Sequence, residues 1–555
     1  MRSNVTVAVL VVLLVCRLFV QPAFSLISDC DESYNYWEPL NLLVRGFGKQ
    51  TWEYSPEYSI RSWTFLLPFH AILSAVKRFL IYEDSPRYVL FYFARAVLGL
   101  TSFIFEKRLY DELLKSTSDT VANAWLVFQI FNPGWFHASV ELLPSSIAMI
   151  FLLGYLRDSL RYLSKHNEKP FVSLLFYNFA AGMLGWPFVL VLSVPMVIHY
   201  VFNHRLIDTL RTGFSSSLVL SLITGIVVLI DSIMYGRLTL VPWNIVRYNV
   251  INADEAAGPN IFGTEPWYYY LFNLLLNLPI PVLILSVFGL SHKRLWPIWG
   301  SIMIWLTTFI LQPHKEERFL YPIYGFITLA ASFGYAKILR MLKHRRTSRQ
   351  LLKLLTLAVV AIQATTRIIA LINNYTAPLT VFSALQPAIA YDEPIQVCIG
   401  REWYHFPNSF FLPDSHRLGF VSSGFNGLLP GDFLEHSSIF DSIRTTPPNM
   451  NKFNLFDAGK LVPVKKCQYY VDIIMESDNS RDALDPTKMS ADWAAVSCSP
   501  IIDVANSKFF GRAFALPPSL IEALPKSVQS LVQKFYKANF VNFCLFERMI
   551  KGELV

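Results

Sequence analysis

The sequence predicts an α-helical polytopic membrane protein of about eleven helices, followed by a C-terminal α/β domain. Three observations predict it. Of 555 residues, 53% are hydrophobic and only 16% are charged, and the mean hydropathy is +0.38; soluble globular chains carry about 25% charged residues. Aromatic residues make up 15%, which suits a chain with long membrane–water interfaces. Apolar runs of spanning length stop near Asn373, after which Pro, Gly, Asp and Asn become frequent. This composition excludes an intrinsically disordered chain and a wholly soluble enzyme. The net charge of +8 comes without a basic run over polar surface, so nucleic acid is not an expected partner.

Runs long enough to cross a bilayer lie at 5–24, 88–105, 121–135, 139–156, 171–185, 188–202, 212–235, 267–290, 297–312, 319–338 and 351–372. The third, fifth, sixth and ninth are short. Positive charge orients them, because short cytosolic loops are rich in Lys and Arg. Lys107, Arg108 and Lys115 fall in one loop, and Arg157, Arg161, Lys165 and Lys169 in another. Arg205 with Arg211, Lys293 with Arg294, and the cluster Lys343, Arg345, Arg346 and Arg349 share that side, which is therefore cytosolic. The luminal side receives 29–87, 236–266, 313–318 and everything after Asn373. A span at 62–81 would break this alternation, and the segment carries Pro68, His70, Lys77 and Arg78; a helix lying on the membrane surface is expected there.

Residues 1–25 read as an uncleaved anchor rather than a cleaved signal peptide, because Arg17 interrupts the apolar run and no polar stretch precedes Ala23-Phe24-Ser25. The expected organisation is then an anchor over 1–25, a first luminal loop over 26–87, a multi-span module over 88–372 and a luminal domain over 373–555. Cys398, Cys467, Cys498 and Cys544 fall in that last domain, where an oxidising compartment permits bridges. Four cysteines allow three pairings, and sequence does not choose among them. Their spacing is not that of a zinc site. Asn374-Tyr375-Thr376 is a sequon close to the membrane.

The first luminal loop interleaves acids with aromatics. It begins Asp29-Cys30-Asp31-Glu32 and continues Trp37-Glu38, then Trp52-Glu53-Tyr54. Carboxylates accept protons from sugar hydroxyls, and aromatic faces pack on the apolar face of a pyranose. The same residues also suit interfacial anchors with solvated acids. Asp29-Cys30-Asp31 has the D-x-D form that holds a divalent metal and a nucleotide diphosphate in many transferases, although a lipid-borne donor is more natural beside a span. The second constellation is His314-Lys315-Glu316-Glu317-Arg318, in a very short luminal turn. Ionisable residues at that depth are expensive and functional by default. Lys315 and Arg318 suit a phosphate, with His314 and Glu316 able to donate or accept beside them. Two further groups, 132–137 with Glu141 and 243–267 with Asp254, Glu255 and Glu265, border a cleft or form plain interfacial turns.

Asp31-Glu32 followed by Asn35-Tyr36-Trp37-Glu38-Pro39, then Thr51 through Tyr58, and the turn from His314 to Phe319, together resemble glycosyltransferase family 22. The likeness extends over essentially the whole chain, and the pattern is most similar to that of the family's fungal members. The resemblance implies a multi-spanning GT-C type enzyme of the endoplasmic reticulum membrane with its active site on the luminal face. It implies dolichyl phosphate mannose as donor and dolichyl-diphosphate-linked oligosaccharide as acceptor. It further implies α-1,2 mannose transfer in two addition steps for N-glycosylation, with the family's catalytic acid at Asp31.

The chemistry of such a reaction agrees. A β-mannosyl phosphate that yields an α-linkage inverts, so one base on the acceptor hydroxyl suffices. The leaving phosphate needs cations rather than an acid. The expected roles are Asp31 as base, Glu32 as its neighbour or a hydroxyl ligand, and His314, Lys315, Arg318 and Glu316 at the donor phosphate. Trp37, Glu38, Trp52, Glu53 and Tyr54 are the candidates for sugar and acceptor binding. No metal or other cofactor is expected. The alternatives are a sister enzyme acting on the glycolipid-anchor precursor, and a multispan transporter, whose charged sites would lie near the midplane in broken helices.

Overall fold

The computed structural model describes residues 4–82, 85–165, 169–253, 258–387, 393–474, 492–550 and 553–554. In chain order the principal helices are α1 (Thr6–Phe24), α2 (Glu38–Arg45), α3 (Trp63–Leu80), α4 (Tyr88–Ser116), α5 (Asp119–Ile130), α6 (Pro133–Ala138), α7 (Pro144–Lys165) and α8 (Lys169–Met183). They continue with α9 (Pro187–Asn203), α10 (Leu206–Tyr235), α11 (Tyr269–Asn277), α12 (Ile280–Gly289), α13 (Lys293–Leu311), α14 (Glu317–Met341), α15 (Arg346–Tyr375), α16 (Phe509–Ala513) and α17 (Lys526–Phe535).

Each predicted run contains helix. Among the described residues, α1, α4, α10, α13, α14 and α15 are long and apolar enough to cross a membrane. The pair α11–α12, bent by 108° at Leu278-Pro279, makes a seventh if taken as one span. Helix α5 has only 12 residues, a rise of about 18 Å against a hydrocarbon core of about 30 Å. Helices α8 and α9 are also short, and α7 carries Arg157, Asp158 and Arg161. The segment at 62–81 forms α3, which falls outside the six.

Helix α4 runs eleven residues beyond the predicted end of its span at 105. Just past that end is Glu106, whose two oxygens accept from Arg17 Nε at 2.9 Å and Arg17 Nη2 at 2.8 Å. The Gln129 amide donates to the same carboxylate at 2.8 Å. A bidentate pair of this kind satisfies both charges in the interior, so neither residue ends its helix. It also accounts for Arg17 inside an apolar run.

Contacts divide the chain into two units: Met1–Ala23, Ile60–Phe65 and Arg95–Thr365, then Phe24–Ser59, Leu66–Ala94 and Thr366–Val555. In the first unit α14 is the hub, with 78% of its apolar window buried against 17% for α10. Helix α12 meets α14 at backbone contact. A Cβ on Gly289 would lie 1.8 Å from the Ala330 oxygen, and one on Gly334 would lie 1.9 Å from the Leu285 oxygen. Small residues allow such approach where burial of apolar area from water contributes nothing. Gly334→Ala should therefore push the helices apart and cost at least about 1–3 kcal/mol. A lower unfolding temperature of the detergent-solubilised protein is the expected readout, and an unchanged one would show that the contact yields.

The second unit carries a mixed sheet in the order β3-β2-β5-β7-β6, built from β2 (Ile395–Ile399), β3 (His416–Phe420), β5 (Cys467–Ile474), β6 (Trp493–Ile502) and β7 (Phe540–Ile550). Strand β2 is parallel to β3 and β5, while β7 is antiparallel to β5 and β6. The α/β expectation holds here. Disulfides Cys398–Cys467 and Cys498–Cys544 are the pairing among the three possible, and each joins neighbouring strands. The sequon Asn374 is buried, and its amide donates to the carbonyls of Gly511 and Arg512.

The acidic loop and the C-terminal residues form one body within this unit. Strand β1 (Lys49–Gln50) pairs with β4 (Gly431–Asp432), and Lys49 also bridges to Asp432 at 2.6 Å. The Ser33 hydroxyl donates to the carbonyls of Phe406 and Pro407 at 2.9 and 2.8 Å, and the Tyr34 hydroxyl to that of Trp403 at 2.7 Å. Arg45 clamps Asp414 through two nitrogens.

Candidate active site

In the second unit the acidic segment is a capped helical turn that widens into a π-helix over Ser33–Trp37. Asp29 caps it, its Oδ1 accepting from the Asp31 N–H at 2.8 Å. Asp31 therefore sits half-buried in the first turn, with its backbone fixed by its neighbour. Asp29, Cys30 and Asp31 present possible ligand atoms within 4.8 Å of one another; one Asp29 oxygen is already used by the cap. The next acid, Glu32, is fully buried and accepts from Trp37 Nε1 at 2.8 Å.

Several sugar-binding candidates prove to be interior residues of this unit. Glu38 is fully buried, accepting from Ser409 N at 2.6 Å, Lys49 N at 2.7 Å and the Ser409 hydroxyl at 2.9 Å. Burial raises its pKa to about 7, against the opposing pull of those donors. Glu38 thus ties the loop to residue 409 instead of facing a sugar. Trp37 is wholly buried, 4.5 Å from the Phe91 ring. Tyr54 is equally buried, and Trp52 packs edge-on against Tyr58. Glu53 alone of these five keeps a half-exposed side chain. Alternating acids and aromatics look alike in a cleft and in a core, and only packing separates the two. The loop's position is set further by the Thr51 hydroxyl, which donates to Asn35 Oδ1 at 2.5 Å.

In the first unit the basic turn between α13 and α14 forms a charge triad. His314 Nδ1 donates to the Gly263 carbonyl at 2.8 Å, and Nε2 donates to Glu316 Oε1 at 3.0 Å. Both ring nitrogens face acceptors, which demands the imidazolium. Burial opposes that charge, but the hydrogen bond and charge of Glu316 outweigh it, so the His314 pKa is raised. Arg318 pairs with the same carboxylate. Burial would raise the Glu316 pKa, yet Arg318 and His314 hold it well below the usual carboxylate range. The raised His314 value stabilises the fold below its ordinary 6.5, and that contribution is lost as pH rises through the folded value. Wild type should therefore lose thermal stability relative to His314→Asn as pH climbs from about 6 to 9. Parallel curves for the two proteins would remove His314 as the titrating group.

Lys315 departs from expectation. It is 6% exposed, and its ammonium donates to the carbonyls of Glu265, at 3.0 Å, and Gln312, with Pro313 at 3.5 Å. Three carbonyls use its three donors, so Lys315 ties residue 265 to the turn and is not aimed at a phosphate. The Glu265 N–H donates back to the Pro313 carbonyl at 3.0 Å. Of the fourth group, Asp254 and Glu255 lie outside the described residues.

The third group joins this turn through Glu317, to which sequence assigned no separate role. Glu317 Oε1 accepts from His137 Nε2 and from Asn277 Nδ2, each at 2.9 Å. Asn277 is the last residue of α11, at the 108° bend, and Pro279 prevents the helix from continuing. His137 belongs to α6, which Asn132 caps by accepting from Trp135 N at 3.0 Å. Gly134 lets α6 in close, since a Cβ there would lie 2.7 Å from the Tyr324 ring. The bend was the available signal: a polar Asn before Leu-Pro in an apolar run marks a broken helix with a polar end.

The profile of the Alg9-like mannosyltransferase family matches residues 8–413. "Alpha-1,2-mannosyltransferase ALG9" of Saccharomyces cerevisiae is 52% identical over 547 residues, covering 98% of each chain. "GPI alpha-1,2-mannosyltransferase 3" of Danio rerio is 26% identical over 60% of each chain. Among solved structures, ArnT from Cupriavidus metallidurans bound to undecaprenyl phosphate superposes with a TM-score of 0.54 at 10% identity, covering 90% of this chain and 97% of that one. That likeness shows the fold, which is of GT-C type. With its helical membrane module, C-terminal sheet and matched profile, the chain belongs to the Alg9-like mannosyltransferase family.

Proposed function

We propose that this protein transfers mannose from dolichyl phosphate mannose, in α-1,2 linkage, to lipid-linked oligosaccharide on the luminal face of the endoplasmic reticulum. Family membership makes it a mannosyltransferase. The observation that carries the finer reading is the full-length likeness to the S. cerevisiae enzyme, against a weaker and partial likeness to the glycolipid-anchor enzyme.

In the proposed reaction the acceptor hydroxyl attacks the anomeric carbon of mannose and the bond from that carbon to the phosphate oxygen breaks. The hydroxyl proton passes to Asp31. The leaving dolichyl phosphate keeps the bond's electron pair, and Arg318 with the His314 imidazolium offsets its charge. Glu316 holds those two cations in place, and Glu317 holds the turn through His137 and Asn277. Asp29 acts as a cap, and the reaction needs no metal.

The test is a transferase assay with purified protein, dolichyl phosphate mannose and each of two acceptors: the lipid-linked oligosaccharide intermediate and the glycolipid-anchor precursor. Product on the first acceptor, removable by an α-1,2-specific mannosidase and unchanged by EDTA, is expected. Product on the second acceptor alone would overturn the acceptor assignment. Loss with EDTA and recovery with Mn²⁺ would overturn the metal-free mechanism.

A further inference from the structure

Among the described residues, the C-terminal domain has a surface that no other part of the protein covers. Helix α17 carries Val528, Leu531 and Phe535 at the spacing of one helical face, yet they are 39%, 59% and 53% exposed. Phe509 and Phe510 of α16 are exposed as well. An apolar stripe on a water-facing helix is unfavourable, and such a patch marks a contact with another apolar phase. Its surroundings are basic: residues 504–540 hold Lys508, Arg512, Lys526, Lys534 and Lys537 against Glu522 alone.

The second observation locates this surface. The α16 end of the segment is bonded to a membrane-crossing helix, well inside that helix's apolar run. The Ala515 N–H donates to the Thr366 carbonyl of α15 at 2.9 Å, and Arg367 Nη1 donates to the Ala513 carbonyl at 3.1 Å. Asn374 adds its bonds to Gly511 and Arg512. Thr366 lies six residues before the end of the apolar run at 372, about 9 Å along the helix. A guanidinium within a span needs a partner, and Arg367 finds one in α16. Helix α17 is tied to α16 in turn, because Lys508 Nζ donates to the last-turn carbonyls of Gln533 and Lys534 at 3.2 and 2.8 Å.

We infer that α16 and α17 form a hairpin embedded in the lipid leaflet around the C-terminal end of α15, with Leu531 and Phe535 among acyl chains and the lysines at headgroup level. Short basic amphipathic helices bind the bilayer interface in this way, with apolar residues inserted and cations reaching outward. The C-terminal domain, which has no apolar run of spanning length, is thereby held to the membrane at a second place besides the end of α15.

The test uses full-length protein carrying p-benzoylphenylalanine at Phe535, at Leu531 or at Ser530 on the other face of α17, reconstituted in phosphatidylcholine vesicles that contain a clickable phosphatidylcholine. Each protein is first checked by size-exclusion chromatography, so a misfolded substitution at one apolar site leaves the other to report. Irradiation should label positions 535 and 531 with lipid several-fold more than position 530. Equal labelling at all three positions would overturn the proposal. So would covalent dimers in place of lipid adducts, which would assign the stripe to a second copy of the chain.

Discussion

Asp31→Asn should leave a folded protein that binds both substrates and turns them over about 10²–10⁴-fold more slowly, the range a positioned base contributes. The amide keeps the size of the carboxylate but cannot accept the acceptor's proton. Backbone geometry should survive, because Asp31 is held through its own N–H by Asp29 Oδ1. The informative companion is Asp29→Asn, which keeps a capping oxygen. It should stay near wild type if Asp29 is a cap, and should fall together with Asp31→Asn if the two carboxylates hold a metal. Initial rates at saturating donor and acceptor measure both. An Asp31→Asn enzyme within tenfold of wild type would remove Asp31 as the base.

Arg318→Ala is expected to lower turnover by about 10²–10³, the usual effect of deleting one aligned donor where charge develops. Apparent affinity for dolichyl phosphate mannose should weaken, while affinity for the glycan acceptor should change little. Arg318→Lys should recover only part of the loss, since an ammonium lacks the planar fork of the guanidinium. Lys315→Met provides the contrast. Its ammonium is spent on backbone carbonyls, so this change should lower thermal stability by about 1–3 kcal/mol and disturb donor kinetics less. Rates against donor concentration, with unfolding temperatures for each variant, separate the two roles. Normal donor kinetics in Arg318→Ala would make the turn structural and move the search for the phosphate site elsewhere.

The ionisable turn was legible because charge at a span end has few innocent explanations. Its internal division of labour was not. Lys315 and Arg318 stand three residues apart and look interchangeable, yet one meets the carbonyls of Gln312 and Glu265 while the other meets the Glu316 carboxylate. The acidic loop shows the same limit. Asp31, Glu32 and Glu38 are all acids among aromatics in the sequence, and nothing local marks which of them is buried. Contact with residues 403–414, some 370 positions away, buries Glu38 as a bracket, while local winding sets Glu32 against Trp37.

Hydropathy records how apolar a stretch is, not how its backbone is divided, so the run at 121–135 gave no sign that it breaks between α5 and α6. Helix α4 continues past the apolar run that ends at 105, and Arg17 meets Glu106 there.

By itself, then, the sequence determined the membrane class, the C-terminal α/β domain, the resemblance to the family and the two motifs, since composition and local pattern reach that far. Tertiary structure alone decided the disulfide pairing, the broken helix ending at Asn277 and which partner each buried residue of the two motifs meets. Those depend on contacts between residues distant in the chain, where a buried charge or hydrogen-bonding group must find a partner and the partner it finds sets its role.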